Sequence, residues 1–367
     1  MVLFAEPERE NRQVFYDPSL EGRDTCETIR VLYTEYPGKS IRGLFDYFVI
    51  AKTAPTQSPW GLYRPMLREA RDLARNGRFD AIWVTSPFIM VLKIAGVIAR
   101  EFEIPWVADL RDLMNEIVLR PGALARWRIR LETNICRSAD ALITVTQPLA
   151  DTLASRHTAP VYVVPNGFDP DDFPPPEESR SEYFDVVYAG SVYGKRDPTP
   201  LFDALDRIRR DGDELDRLRV RFYGVEETQL APYLRGRPCA DAVRAMGRVP
   251  FREMTRIQQR ASLLLFLTHA DVRGIMTAKM FDYLAARRTI LSVSGDNDVT
   301  DAFLRDTRAG VVGRTPEEIA KLIREYYAEW KNTGSVQYHG LPDKIAGYTR
   351  EKQAEQTAEV LNSICKR

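Results

Sequence analysis

The chain has 367 residues, 44% of them hydrophobic and 28% charged, with 52 basic residues against 52 acidic and a formal net charge of zero. That length holds two domains with real cores, and the composition is that of a globular enzyme rather than a disordered or fibrous chain. The charge balance gives no support to nucleic-acid binding, and the four separated cysteines (Cys26, Cys136, Cys239, Cys365) and three scattered histidines (His157, His269, His339) form no metal-type cluster.

In chain order, Met1–Pro7 lacks the basic start of a secretory leader and runs straight into charged residues. Short apolar runs then alternate with amphipathic stretches. Strands are expected at Val2–Phe4, Ile29–Tyr33, Ala81–Thr85, Trp106–Asp109, Ala141–Val145 and Val161–Val164. Helices are expected at Tyr63–Asn76, Phe88–Phe102, Ala123–Ala139 and Leu149–Arg156. Phe88–Phe102 is the longest apolar candidate, but Lys93, Arg100 and Glu101 break it, so it reads as a core helix and not a membrane span. The simplest expectation is a cytoplasmic protein with free thiols.

Pro165–Asn166–Gly167 is a strong turn signal, and Asp169–Glu182 (DPDDFPPPEESRSE) reads as a linker. A second alternating series follows. Its strands are expected at Val186–Ala189, Val220–Tyr223, Leu263–Leu267, Ile290–Val293 and Gly310–Val312, and its helices at Thr199–Asp211, Glu226–Tyr233, Phe251–Ala261, Ala278–Ala286 and Pro316–Lys331. Asn332–Gly347 looks irregular, and a last helix spans Arg350–Ile364. The alternation predicts an α/β protein of two Rossmann-like halves, each a doubly wound parallel sheet. The boundaries are residues 1–165, a linker over 166–183, 184–347, and a closing helix over 348–367. Two such halves suggest a cleft, with ligands beyond the carboxyl ends of the strands.

The most informative stretch is Gly274–Leu291 (GIMTAKMFDYLAARRTIL), which follows the apolar run Ser262–Thr268 and opens a helix. Met280, Phe281, Leu284 and Ala285 form a buried stripe, while Lys279 and Asp282, three apart, share another face near the helix start. The amides of Thr277 and Ala278, the helix dipole and Lys279 favour phosphate, and Asp282 is placed to accept from ribose hydroxyls. An ordinary strand–helix unit with a surface Lys and Asp fits the same letters.

Val186–Leu201 (VVYAGSVYGKRDPTPL) reads as a strand ending at Gly190 and Ser191, then a loop carrying Lys195 and Arg196. Gly190 allows close backbone approach and the two cations suit a diphosphate, although a turn with solvated charges reads the same way. Tyr223–Gly224 and, after Gly247, Arg248–Val249 place further donor-site candidates beside strand ends. Connection geometry is the better account of Glu226 and Arg252. Pro105–Met114 (PWVADLRDLM) ends a strand in Asp109, Arg111 and Asp112. A carboxylate there can orient or deprotonate an acceptor hydroxyl and Arg111 can bind an anion; a local Asp–Arg pair is the alternative. The basic segment Arg120–Arg137 spaces Leu124, Trp127, Leu131 and Ile135 as one helix face. Packing on the sheet is the first expectation for it, and contact with an anionic membrane surface the second.

Together these residues resemble the GT-B glycosyltransferases, in particular the retaining family that includes sucrose-phosphate synthases and mannosyltransferases of lipid glycosylation. The resemblance rests on ADLRD at 108–112, RSADALITVT at 137–146, VPNGFDPDDF at 164–173, VYAGS at 187–191, GRVPFREM at 247–254, KMFDYLAARRTIL at 279–291 and YTRE at 348–351. It implies a nucleotide-diphosphate-sugar donor held by the second domain, an acceptor held by the first, and a last helix that crosses back to the first domain. It places Gly190, Ser191 and Arg196 at the diphosphate loop, with Ser191 where the family often has Arg and Arg196 at its Lys position. Asp282 matches the second acid of the family's Glu-x7-Glu pair, and Gly274 falls where the first acid, which touches the donor sugar, would stand. Lys279 and the backbone around Thr277 are expected to take over that contact. Val2–Pro7 resembles the family's second strand, so its opening strand, Gly-rich loop and helix are expected to be missing.

The resulting expectation is a retaining glycosyltransferase whose Lys195, Arg196 and Thr277–Lys279 stabilise the leaving diphosphate without a metal or cofactor, with Asp112 on the acceptor side. The acceptor is a glycan, lipid-linked or small-molecule hydroxyl. A non-catalytic sugar-nucleotide binder stays open because of Gly274. A GT-B epimerase is a further alternative, against which the scattered histidines speak.

Overall fold

The computed structural model describes residues 2–7, 28–33, 63–85, 89–113, 122–173, 181–192, 196–213, 215–268 and 273–365. The chain divides into two compact units, Met1–Pro165 with Glu355–Arg367, and Asn166–Ala354.

In the first unit, β1 (Val2–Pro7) and β2 (Thr28–Tyr33) pair in parallel as a two-stranded sheet of their own. The helices α1 (Tyr63–Asn76), α2 (Ile89–Phe102), α3 (Ala123–Cys136) and α4 (Gln147–Ala154) alternate with β3 (Ile82–Thr85), β4 (Trp106–Asp109), β5 (Ala141–Thr144) and β6 (Val161–Val163). These four strands form a parallel sheet in sequential order. Alternation expects all six strands in one sheet; among the described residues β1 and β2 bond only to each other, because strand periodicity fixes faces and not neighbours. Every residue of β4 and β5 is buried, as befits parallel strands covered on both faces. Trp106, Ala108 and Leu142 face one core, while Val107, Ala141 and Ile143 face another that takes in Val360 and Ile364 of the last helix.

α3 departs from the expected stripe. Ala125, Arg128, Glu132 and Cys136 are its buried residues, while Trp127 is 38% exposed. The charged pair four residues apart is turned inward, so apolar spacing alone picks the wrong face. Leu124's side chain lies outside the described set.

The second unit holds six parallel strands in the order β12-β11-β10-β7-β8-β9. These are β7 (Phe184–Ala189), β8 (Leu218–Tyr223), β9 (Val243–Gly247), β10 (Leu263–Leu267), β11 (Ile290–Val293) and β12 (Gly310–Gly313). The chain starts in mid-sheet at β7, builds out to β9, then returns to the other side of β7 with β10. The order therefore reverses between β7 and β10, the switch point where open α/β sheets bind ligands. Successive residues of β10 serve opposite cores: Leu263, Leu265 and Leu267 one, Leu264 and Phe266 the other. α5 (Thr199–Arg210) and α10 (Pro316–Thr333) cover the first face, with α6 (Glu227–Leu234) at its rim; α7 (Phe251–Arg260), α8 (Lys279–Ala286) and α9 (Val299–Thr307) cover the second. α11 (Pro342–Ala346) interrupts the stretch expected to be irregular, and α12 (Arg350–Cys365) begins in this unit and ends in the first.

The turn at Pro165–Asn166–Gly167 is where the chain changes unit. The segment beyond it is held: Phe168 is buried and pairs in parallel with Thr349, through Phe168 N–H to Tyr348 O (3.0 Å) and Arg350 N–H to Phe168 O (2.8 Å). Asp169 caps a short 3-10 turn at Pro170–Asp172.

Candidate ligand site at the carboxyl edge of the second sheet

Three glycines clear the ends of three neighbouring strands. Gly190 after β7 has φ +137° and donates its N–H to Tyr223 O (2.9 Å); Gly224 after β8 has φ +80° and donates to Gly247 O (2.6 Å). A Cβ on Gly190 would overlap the Lys279 ammonium, and one on Gly224 would lie 3.0 Å from Gly190 O. Both positions need glycine for conformation and for space, which leaves bare backbone at the switch point.

Lys279, the first residue of α8, lays its ammonium over Gly190 and 4.1 Å above the Tyr188 ring centroid. Burial first, then the like charge of Arg196, pull its pKa down to about 7, with Asp282 opposing. The buried Tyr188 ring gives partial compensation through its π face, and its hydroxyl donates to Ser191 O (2.9 Å), fixing the loop after β7. α8 has no side-chain N-cap, and Thr277 Oγ1 is buried without a hydrogen-bond partner among the described residues. An uncapped helix start, an unspent hydroxyl and an ammonium in need of a counter-charge fall within three consecutive residues, 277–279. That arrangement suits an anion.

Tyr283 was not among the expected site residues, yet it builds the switch point. The β7–β10 ladder ends at Val187 and Leu264, and the strands part beyond it. The fully buried Tyr283 hydroxyl fills the gap, accepting from Ala189 N–H (2.9 Å) and donating to Leu265 O (3.1 Å). Its only sequence signal is a tyrosine inside the apolar stripe of α8.

Asp282 lies beside Lys279, Arg350 and Asp172. Burial lifts its carboxyl to about 6; Arg350 opposes that, Asp172 adds to it, and Lys279 opposes it. Gly274, at φ +76°, donates its N–H to Asp298 Oδ2 at 2.5 Å. A carboxylate is thus delivered to the position that lacks an acid, from the loop after β11. Asp296 in that loop accepts the amides of Asp298, Thr300 and Asp301, and Asp301 accepts those of Asp296 and Asn297.

Of the remaining candidates, Tyr223 is buried, Val249 is half-buried against the α8 core and Arg248 is exposed. All three lie at the β8–β9 end of the same edge. Glu226 and Gln229 form the capping box of α6, as connection geometry requires. Lys195 and His269 lie outside the described residues.

In the first unit, Asp109 is 1% exposed at the end of β4, and Arg111 Nε donates to its carboxylate at 3.0 Å. Burial raises the Asp109 pKa, with Arg111 as the main opposing influence. Arg111 also donates to Val164 O (3.2 Å), so it ties β4 to the residue after β6. The local Asp–Arg pair left open by the sequence is formed. Asp112 is exposed. Among the described residues no His, Cys, Asp and Glu group is arranged to hold a metal, and no helix is long and apolar enough to cross a membrane.

Residues 34–167 match the family model of a glycosyl transferase 4-like domain, and residues 201–359 that of a glycosyl transferase-like domain. Solved structures of the same architecture include HepE of Anabaena in complex with UDP and glucose (TM-score 0.62, 13% identity, covering 92% of this chain and 86% of that one). The sucrose-phosphate synthase of Thermosynechococcus elongatus matches with TM-score 0.57 and 13% identity over 92% and 83% of the two chains. The trehalose 6-phosphate synthase of Burkholderia multivorans matches with TM-score 0.63 and 9% identity over 100% and 99%. At such identities the likeness establishes the fold. No curated protein matches the sequence.

Proposed function

We propose that this chain, a glycosyltransferase of the GT-B type, takes a sugar from a nucleotide-diphosphate donor held by its second unit and passes it, with retention, to a hydroxyl acceptor. The observation that carries this reading is the Lys279 ammonium laid over the bare Gly190 backbone at the sheet's switch point. The donor diphosphate lies there, against Lys279, Arg196, Ser191 and the amides at Thr277–Ala278, with Lys195 joining from the loop. Asp282 accepts from the ribose, and Tyr223, Gly224, Arg248 and Val249 flank the base. Asp298, through the carboxylate it extends to Gly274, takes the sugar-hydroxyl contact that the missing acid leaves vacant.

The acceptor hydroxyl attacks the anomeric carbon on the face from which the diphosphate departs, and its proton passes to a leaving phosphate oxygen. The cations and the helix start stabilise the charge that develops on the diphosphate, and no metal is required for it. The acceptor is a glycan, lipid-linked or small-molecule alcohol, with Asp112 as its partner in the first unit and the Asp109–Arg111 pair supporting Asp112. The outer face of α3, with Trp127, Arg126 and Arg130 exposed, fits peripheral contact with an anionic membrane on the cytoplasmic side. HepE's complexes with UDP make UDP-sugars the first donors to test.

The test is a thermal-shift series with UDP, GDP, ADP and dTDP and their sugars on wild type and Asp282→Ala. One nucleotide stabilising wild type and not the variant supports the site; no shift with any of them removes it. Gly274 also fits a protein that binds the donor without transferring it. Turnover with the stabilising donor and an alcohol panel separates the two readings.

A further inference from the structure

The opposite edge of the same sheet carries a recess. It has a volume of about 40 Å³ and is lined by Ser181, Arg260, Ser262, Arg288 and Trp330, closed by the turn at Gly334–Val336. A single water needs ~10–15 Å³ on this measure, so the space admits an ion of several atoms. Its walls lie at the amino ends of the strands: Ser181 precedes β7, Arg260 and Ser262 flank the start of β10, and Arg288 precedes β11. β7 is six residues long, so about 20 Å separates this edge from Gly190.

Arg288 asks for an acceptor here. Arg288 gives Nε to Gln259 O at 2.6 Å and has no carboxylate within ion-pairing distance among the described residues, so the rest of its fork is unspent. Burial alone pulls its pKa below the usual range. Trp330 also lines the recess; it is 6% exposed, and its buried indole N–H, without a hydrogen-bond partner among the described residues, is a reporter on the recess wall. Asp185, which accepts from Ser181 Oγ (3.3 Å), is already paired with Arg219 (2.8 Å) and Arg221 (3.1 Å).

We propose that this recess binds a small oxyanion of the phosphate class, held by the Arg288 fork with Arg260, at a site separate from the donor edge. The proposal does not depend on the donor reading. The experiment titrates inorganic phosphate into the ¹⁵N-labelled full chain and follows the Trp330 indole N–H resonance, assigned with Trp330→Phe. Lys279→Ala removes phosphate binding at the donor edge from the measurement.

The expected result is a saturable shift of the Trp330 resonance that survives Lys279→Ala and weakens about tenfold in Arg288→Gln. Arg288→Lys, which keeps the charge without the fork, falls between the two, and unchanged melting temperatures show that the variants are folded. A Trp330 resonance that does not move with phosphate, or moves equally in Arg288→Gln, overturns the proposal. Repeating the titration with a phosphate monoester separates the sources. Equal affinity assigns the free ion, and tighter binding assigns a phosphorylated small molecule.

Discussion

Lys279 should make donor binding proton-linked. Its pKa in the free protein is about 7 because burial and Arg196 disfavour the ammonium. The negative charge of a bound diphosphate outweighs both influences and holds the lysine charged. If only the ammonium form binds, the competent fraction falls from about a quarter at pH 7.5 to about one in a hundred at pH 9, and affinity drops roughly 25-fold, or ~1.9 kcal/mol. At pH 8 about 0.9 proton is taken up per donor bound. Calorimetry of a nucleotide sugar in two buffers of different ionisation enthalpy measures that uptake. A nucleotide sugar is preferred because it lacks the terminal phosphate ionisation near 6 of a free diphosphate.

The linkage also appears in stability. Lys279 is lowered from 10.5 to about 7, so the unfolded chain binds the extra proton between those values and stability rises with pH across that window. Asp282, raised from 3.8 to about 6, acts in the other window: the folded state keeps the proton, and stability falls as pH rises through it. Lys279→Met should abolish the upper slope and the donor's pH dependence together. Donor affinity that stays flat from pH 7 to 9 in wild type, or a slope retained in Lys279→Met, refutes the reasoning.

Three further outcomes are expected. Tyr283→Phe leaves Ala189 N–H and Leu265 O without the hydroxyl that joins them, costing about 1–3 kcal/mol; an unchanged denaturation midpoint would remove Tyr283 from the account. Arg111→Ala strands the buried Asp109 carboxylate, costing about 3–5 kcal/mol; the loss should appear in urea unfolding, whereas a pure effect on acceptor KM at full stability would mean Arg111 binds acceptor instead. Asp298→Asn keeps an oxygen for the Gly274 N–H while removing the charge, so it should weaken a nucleotide sugar about tenfold and leave the bare nucleotide diphosphate unaffected. Equal loss of both ligands would make Asp298 a structural residue.

Much of the second unit was legible because its signals are local. The stripe Met280, Phe281, Leu284 and Ala285 is buried on α8, and Gly190 and Gly224 adopt the positive φ angles that make glycine informative. The missing parts have non-local or polar causes. β9 reads VRAMG, too short and mixed for a strand pattern, and is held by pairing with β8. α9 opens with buried Thr300 and Asp301, whose burial depends on hydrogen bonds made by a turn of Asp and Asn that looks like a surface loop. Tyr283 and Asp298 act across strands, at a splay and at a loop contact that no linear spacing encodes. In α3 a buried Arg128 and Glu132 displace the face that apolar counting selects.

The most direct measurement is a crystal structure of the full chain grown with the nucleotide diphosphate that stabilises it. The account predicts phosphate oxygens within hydrogen-bond distance of Lys279 Nζ and resting on the Gly190 backbone, with the ribose at Asp282. A diphosphate bound away from the β7–β10 switch point, with the Lys279 ammonium still over an uncovered Gly190, would contradict it.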